Sequence, residues 1–527
     1  MSVSDHIDGY GAVVPYRGVN TRVPGAGGVP AFGAPRPLKT PGQCKLLRSL
    51  EDAITASGLK SGMTVSFHHH LRNGDKVVNS VLDACARMGI EGLTLFPTAL
   101  FDVHEPVAEH VRRGVVRQIM GSVNGAVGRM VSTEARELAP VVLRSHGGRP
   151  RAIAAGEVHI DVAFIAAPAA DGAGNLSGRF GPSACGSLGY PQVDAMYADR
   201  VVAVTDNLMP VMPAPVSIPQ IYTDFVVEVP SIGDPAGIVS GTTAVTRNPL
   251  RLLISRYAAR VIELAPCFAN GLSFQTGAGG ITLAVTAFLR EAMAAKGIKG
   301  GFGLGGITGY FVEMLRDGLL ERLLDVQSFD AAAVKSLGGG SGEQNSAHVE
   351  ISADWYANPW NAGAAVNGLD AVVLGATEID RDFNVNVNTE ADGTLLHGIG
   401  GHQDTAAGAG ITIIAQPLLR GRAPCVVERV DCVTTPGDVV DVLVTEYGVT
   451  VNPNAPPPGS KKIWRGEILE RVRAAGLPVV PMDALIDKAK AMSGPMSPIE
   501  RTDRVAAVVE WRDGSVLDVV YAKSSKR

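Results

Sequence analysis

Apolar runs and helical stripes alternate along most of this chain, and the alternation predicts its architecture. Residues 62–67 read as a strand, 77–88 as a helix with apolar positions at helical spacing, and 92–96 as a strand again. Helical patterning precedes them from Leu46-Leu47 to Ile54, and further apolar runs cover 141–143, 162–165 and 200–204. Runs without polar interruption imply strands buried on both faces, as in a parallel sheet. Their regular exchange with helices predicts βαβ units.

The pattern loosens over 205–250, where Pro210, Pro213, Pro215, Pro219, Pro230 and Pro235 cluster, and a domain boundary is placed there. A second α/β series follows, with helices over 249–265, 282–295 and 309–324 separated by glycine turns, then strands over 371–374, 410–414 and 439–444. Pro453, Pro456, Pro457 and Pro458 mark another linker. Beyond it come a helix near 461–475 and a hairpin of 505–509 with 516–521 around Arg512-Asp513-Gly514-Ser515. Residues 1–42 are rich in Gly, Pro and Val without a period and read as an extended arm. The expected fold class is α/β: two open, mainly parallel domains over 43–235 and 236–455, the arm, and a small α+β tail over 456–527.

Length and composition narrow the class. A chain of 527 residues is too long for one core. Its net charge of −5 gives no clustered basic face for nucleic acid. Cys44, Cys85, Cys185, Cys267, Cys425 and Cys432 show no C-x-x-C pair, which suits reduced thiols in the cytoplasm. No apolar run reaches the ~18 residues of a membrane span, and no basic stretch leads into a signal-type apolar region. Glycine is the outlier, at 62 of 527 residues against a usual ~7%, and it falls in turns between apolar runs.

Several of those turns carry candidate chemistry. Gly277-Ala278-Gly279-Gly280-Ile281-Thr282 recurs as Gly303-Leu304-Gly305-Gly306-Ile307-Thr308, each ahead of a helix. Free N–H groups at two helix N-termini would make adjacent anion sites; close helix–strand packing is the alternative. No Gly-Lys dipeptide exists, so there is no phosphate-binding P-loop. Gly301-x-Gly303-x-x-Gly306 matches the dinucleotide fingerprint only formally, because no buried strand leads into it. Phe67-His68-His69-His70-Leu71-Arg72 ends a strand, where open α/β sheets bind ligands. Imidazole donors with a forked guanidinium suit a polycarboxylate. Structural packing and a metal site remain alternatives, the latter weakened because adjacent strand residues face opposite ways. Arg144-Ser145-His146-Gly147-Gly148 has the same character, and Gly398-Ile399-Gly400-Gly401-His402-Gln403-Asp404 is a further glycine-rich turn whose small residues leave room for backbone to touch a ligand, a purely structural turn being the alternative.

Two longer segments bear a family resemblance. Residues 161–176, running from Asp161 through Pro168-Ala169-Ala170-Asp171-Gly172 to Asn175-Leu176, resemble the strand-and-turn signature of CoA-transferases, and Asp206-Asn207-Leu208-Met209-Pro210 resembles the segment that follows it. Narrower matches at 67–75, 144–148, 183–190, 274–282, 325–330 and 404–409 resemble the citrate lyase alpha-chain family, over roughly residues 8–520. The resemblance implies two CoA-transferase-like halves facing each other across the active site. It also implies an acetyl-thioester donor, citrate as acceptor, acetate as product, a lyase beta chain and a small acyl carrier protein as partners, and a homo-oligomer within their complex. No metal and no tightly bound cofactor is expected; the enzyme would act on a dephospho-CoA-derived arm of the carrier, with CoA as surrogate. Substrate contacts are assigned to His68, His69, His70, Arg72, Arg144, His146, His402 and Asp404. Gly277, Gly279, Gly280, Gly303 and Asn175 are assigned to the thioester arm.

Many CoA-transferases use a Glu nucleophile where the best match here offers Gly305 and Gly306. The resemblance therefore implies direct attack by citrate through a mixed anhydride, with backbone N–H groups at Gly305, Gly306, Gly400 and Gly401 stabilising charge. Glu378, just past a strand, is the carboxylate that could still reach the cleft. The competing expectations are a CoA-transferase or hydrolase using free acyl-CoA and a different acid, and a scaffold that only docks the carrier.

Overall fold

Seven parallel strands make the first of two large sheets in the computed structural model. The structure describes residues 6, 7, 9, 11, 12, 44–133, 135, 137–238, 245–277, 279–338, 345–494 and 498–524. Apart from five positions, the expected arm over 1–42 lies outside the described residues. In chain order this half contains β1 (Leu46–Leu47), α1 (Leu50–Ser57), β2 (Thr64–Phe67), α2 (Val77–Arg87), β3 (Leu93–Pro97), α3 (Pro106–Arg112) and β4 (Val116–Ile119). It continues with α4 (Gly125–Thr133), β5 (Val141–Leu143), α5 (Gly148–Ala154), β6 (Val162–Ala167), α6 (Pro191–Tyr197), β7 (Arg200–Thr205) and β8 (Phe225–Glu228). The order across the sheet is β1-β8-β7-β6-β2-β3-β4. Every residue of the central β6 is buried, as the unbroken apolar run requires.

The second half holds α7 (Pro249–Leu264), β9 (Phe274–Thr276), α8 (Gly280–Lys296), β10 (Gly300–Ile307), α9 (Gly309–Arg316), β11 (Leu320–Ser328) and α10 (Ala331–Ser336). Then come β12 (His348–Glu350), α11 (Ala353–Ala357), β13 (Ala371–Leu374), α12 (His402–Gly408), β14 (Ile411–Ala415), β15 (Val442–Thr445) and β16 (Gly448–Val451). Its sheet runs β12-β11-β10-β9-β13-β14-β15-β16, parallel except for the closing β15–β16 hairpin. Two mainly parallel α/β sheets are thus present. Among the described residues no helix is long and apolar enough to cross a membrane, and none of the six cysteines is in a disulfide.

The structure corrects several sequence expectations. Leu46-Leu47 is an edge strand beside β8, and the helix begins only at Leu50, where Ser49 Oγ accepts the Asp52 N–H. The helix read over 309–324 stops at Arg316, because Gly318 takes φ of 72° and turns the chain into β11. The second glycine repeat is no turn: residues 300–307 form β10, with a register shift between Gly305 and Gly306. Its glycines admit large neighbours crossing the strand, a pattern that imitates turn composition.

The tail is no separate unit. Its elements are α13 (Arg465–Ala474), α14 (Met482–Ser493), β17 (Arg501–Glu510) and β18 (Val516–Lys523). Ile468 and Val472 of α13, and Leu485 and Ile486 of α14, are buried in the cores of the second half. The hairpin instead joins the first: Ala507, Val509 and Val520 sit in its core. Strand β17 pairs in parallel with β5, which therefore lies outside the seven-stranded sheet.

Candidate functional site

The two sheets present their carboxyl edges to one cavity of about 690 Å³. Residues just past β2 (His69), β3 (Thr98), β9 (Gly277), β13 (Gly375) and β14 (Gln416) line it. Bonds across the gap fix the halves together: Gln327 Nε2 donates to His69 O at 2.9 Å, and the His146 N–H donates to Gly400 O at 2.8 Å. The location obeys the rule that parallel sheets bind ligands at strand carboxyl ends.

The His68–Arg72 run divides by direction. His68 Nε2 lies 2.9 Å from Asp194 Oδ2 in a buried pair, and His70 Nε2 donates to Ala166 O at 2.7 Å. Neither lines the cavity; both hold the strand end, which corrects their assignment to substrate. His69 does line it, stacked at 5.4 Å on His146, with the Tyr190 ring 4.7 Å from the first and 4.6 Å from the second. The three imidazoles point to separate partners. Burial pushes the His69 pKa well below its usual value, with the neighbouring His146 adding to the shift. Burial, then Arg149, push His146 down to about 3. The site imidazoles are neutral near pH 7 and can donate N–H bonds to an anion.

Arg72 has a left-handed φ of 50°, rare for a side chain of its size. Its guanidinium stands over the rings of Phe329 at 4.8 Å and Phe101 at 5.5 Å, and all three line the cavity. A Cβ at Gly306 would meet the Phe329 ring at 2.2 Å. Gly306 thus seats the aromatic support of Arg72, and it also lines the cavity.

The other glycines sort similarly. A Cβ at Gly303 would strike the Phe311 ring at 2.5 Å, so Gly303 is a packing residue outside the cavity, not a thioester contact. Gly305, with φ of 94°, accommodates the Gln275 side chain and is not a lining residue. Gly401 faces the Tyr356 hydroxyl, 2.4 Å from where its Cβ would lie. Gln275 and Tyr356 are a hydrogen-bonded pair at 3.0 Å, both in the cavity wall. Gly277, Gly279 and Gly280 line the cavity at the N-terminus of the 17-residue α8. Gly400 also lines it.

The remaining assignments are mixed. His402 lines the cavity, but Thr435 Oγ1 at 2.8 Å and Gly375 O at 3.1 Å occupy its two nitrogens. Asp404 is buried and is not among the described lining residues, accepting from Ser145 Oγ at 2.9 Å and the Gly147 N–H at 2.8 Å; it locks the 144–147 turn. Asn175 braces its own turn through Asp171 and the Gln220 N–H, away from the cavity. Glu378 is buried behind Thr377, accepting from Asn386 Nδ2 at 3.0 Å; burial raises its pKa, and it does not reach the cavity.

Sequence reasoning missed Tyr190, Gln275, Tyr356, His397, Arg251 and Arg420, all of which line the cavity. They come from strands, helices and loops far apart in the chain, with no local motif to mark them. Arg72, Arg144, Arg251 and Arg420 line the cavity, and no Asp or Glu is among its described lining residues. Four guanidiniums with neutral imidazoles and amides form a receptor for a multiply charged anion. Among the described lining residues there is no carboxylate to act as a nucleophile.

A family model described as "Citrate lyase, alpha subunit" matches residues 43–523. The citrate lyase alpha chain of Klebsiella pneumoniae is 48% identical over 479 residues, covering 91% of each chain. The solved alpha subunit of citrate lyase from Streptococcus mutans, described as putative and in complex with citrate, is 43% identical, with a TM-score of 0.88 over 99% of both chains. A 4-hydroxybutyrate CoA-transferase from Porphyromonas gingivalis superposes with a TM-score of 0.50 over 85% of this chain and 97% of its own, at 19% identity, which is a likeness of fold.

Proposed function

The chain belongs to the citrate lyase alpha-subunit family, and from that premise we propose that its cavity binds citrate beside an acetyl thioester and exchanges acetate for citrate on the thiol. The observation that carries this reading is the charge of the wall: four arginines and no carboxylate among the described lining residues. Citrate bears three carboxylates, which suits several guanidiniums and imidazole donors converging on one space. Residues Arg72, His69 and His146 hold citrate, and the glycine turn ahead of α8 faces the thioester arm with free N–H groups.

The step balances without an enzyme-bound intermediate. A citrate carboxylate oxygen attacks the acetyl carbonyl carbon, the C–S bond breaks, and a thiolate leaves an acetic–citric anhydride. The thiolate then attacks the citryl carbonyl carbon and releases acetate. Holding both acyl groups and the thiol in one cavity supplies proximity. The amide of Gln275 and hydroxyl of Tyr356 stand ready to stabilise the developing oxyanion. The thioester arm belongs to a small acyl carrier subunit, and the citryl thioester passes to a lyase beta chain.

The purified chain mixed with acetyl-CoA and citrate tests the reading by mass spectrometry of the products. It forms citryl-CoA and acetate. A scaffold forms neither, and a CoA-transferase for another acid leaves citrate untouched.

A further inference from the structure

Arg144 follows β5, the strand paired to the C-terminal β17, and it is bound by the last residue of that strand. Its Nε donates to Glu510 Oε2 and its Nη2 to Glu510 Oε1, both at 2.7 Å. A guanidinium gripped along its Nε/Nη2 edge has a fixed plane. Its Nη1 is left beside Met120 Sδ at 3.9 Å, a weak acceptor. Only 11% of the Arg144 side chain and 13% of that of Glu510 are exposed, so water screens the pair little.

Neighbouring tail residues hold both walls of the cleft. Gln403 Nε2 donates to Glu510 O at 3.0 Å. Arg512 Nη2 donates to Ala357 O at 3.0 Å, and its Nε lies 3.4 Å from Asp404 Oδ1. Asp404 in turn fixes the turn carrying His146. The end of β17 therefore clamps residues 144–147 of the first half to α11 and α12 of the second.

We propose that Glu510 is a positioning residue for the acid substrate: it aims Nη1 of Arg144 at a citrate carboxylate, so that one guanidinium holds the protein's carboxylate on one edge and the substrate's at its tip. The inference rests on reading the cleft as a citrate site. A lysine at 144 has one ammonium and no second edge, so it cannot serve both partners.

Steady-state kinetics of the full chain with citrate and acetyl-CoA test it, with thermal melting measured alongside. Glu510→Gln keeps the shape but loses the charged two-oxygen acceptor. It should raise the citrate KM about ten-fold or more while the acetyl-CoA KM stays put. Glu510→Asp, which keeps the charge, should recover part of the loss, and Arg144→Lys should raise the citrate KM similarly. A merely structural Glu510 would lower the melting temperature and the active fraction with both KM values unchanged, and that result overturns the proposal. An unchanged citrate KM in Arg144→Lys overturns it too; calorimetric citrate binding by the same variant would then leave the citrate reading intact. No citrate binding by the unmodified chain would instead sink the functional reading itself.

Discussion

His69 and His146 come from strand ends on separate sheets and stack 5.4 Å apart with ring planes 16° from parallel. Burial disfavours protonation of both rings; His146 adds to the effect on His69, and Arg149 to that on His146. With His146 at about 3 in the fold and ~6.5 when unfolded, the unfolded chain binds more protons between those values. Stability contributed by the neutral ring is therefore complete above pH ~6.5 and is lost as pH falls toward 3. Between about pH 7 and pH 5 the loss from this one imidazole is about 2 kcal/mol. Thermal melts of the unliganded chain should fall over that range, and His146→Gln should fall less. Parallel curves for the two proteins would show that His146 is not held neutral.

Arg72 stands over the rings of both Phe101 and Phe329. Arg72→Ala should raise the citrate KM about ten- to a hundred-fold, the cost of about 1.5–3 kcal/mol for losing a charge-assisted contact, with the acetyl-CoA KM nearly intact. Gly306→Ala should push in the same direction, because its Cβ would enter the Phe329 ring that supports Arg72. Initial rates over a citrate series check both. An unchanged citrate KM in Arg72→Ala would remove that residue from the site.

Gly400 and Gly401 are adjacent yet should respond differently. A Cβ at Gly400 meets only His146 Nε2 at 3.9 Å, so Gly400→Ala carries the strain of φ at 63° and little else. The variant should lose about 1–2 kcal/mol of stability and keep most of its transfer rate. A Cβ at Gly401 would displace the Tyr356 hydroxyl from Gln275. Gly401→Ala should therefore cut kcat about ten-fold or more. Melting and kcat, measured together, separate the two; full activity in Gly401→Ala would mean that the Gln275–Tyr356 pair takes no part in transfer.

The two-sheet plan was legible because fully buried parallel strands leave long apolar runs such as 162–165 and 200–204. The strand-end rule then located His69, Arg72 and His146 correctly at the cavity. It could not tell His69 from His68 and His70, since the direction of each ring is set by Thr98, Asp194 and Ala166, distant in sequence. Glycines misled for a related reason. At 303 and 305, which do not line the cavity, the missing side chain makes room for Phe311 and Gln275, contacts that exist only after folding. The pairing of β17 with β5 joins residues more than 350 apart, and no local pattern announces it.

Glu378 sits behind the wall with its carboxylate bound to Asn386, and no Asp or Glu is among the described lining residues. Glu378→Gln should accordingly keep its transfer activity. Glu313 is at the surface in an ion pair with Arg290, and Asp330 caps α10 through the Ala333 N–H. Direct attack by citrate therefore requires both substrates bound together, and initial-rate plots should intersect. The decisive measurement is incubation of the full chain with acetyl-CoA alone, hydroxylamine or borohydride trapping, and peptide mass spectrometry. No acyl or thioester adduct should form on any carboxylate, while adding citrate to the same mixture releases acetate. A stable adduct at Glu378, Glu313, Asp330 or any other carboxylate, with ping-pong kinetics, would contradict direct transfer and name the nucleophile.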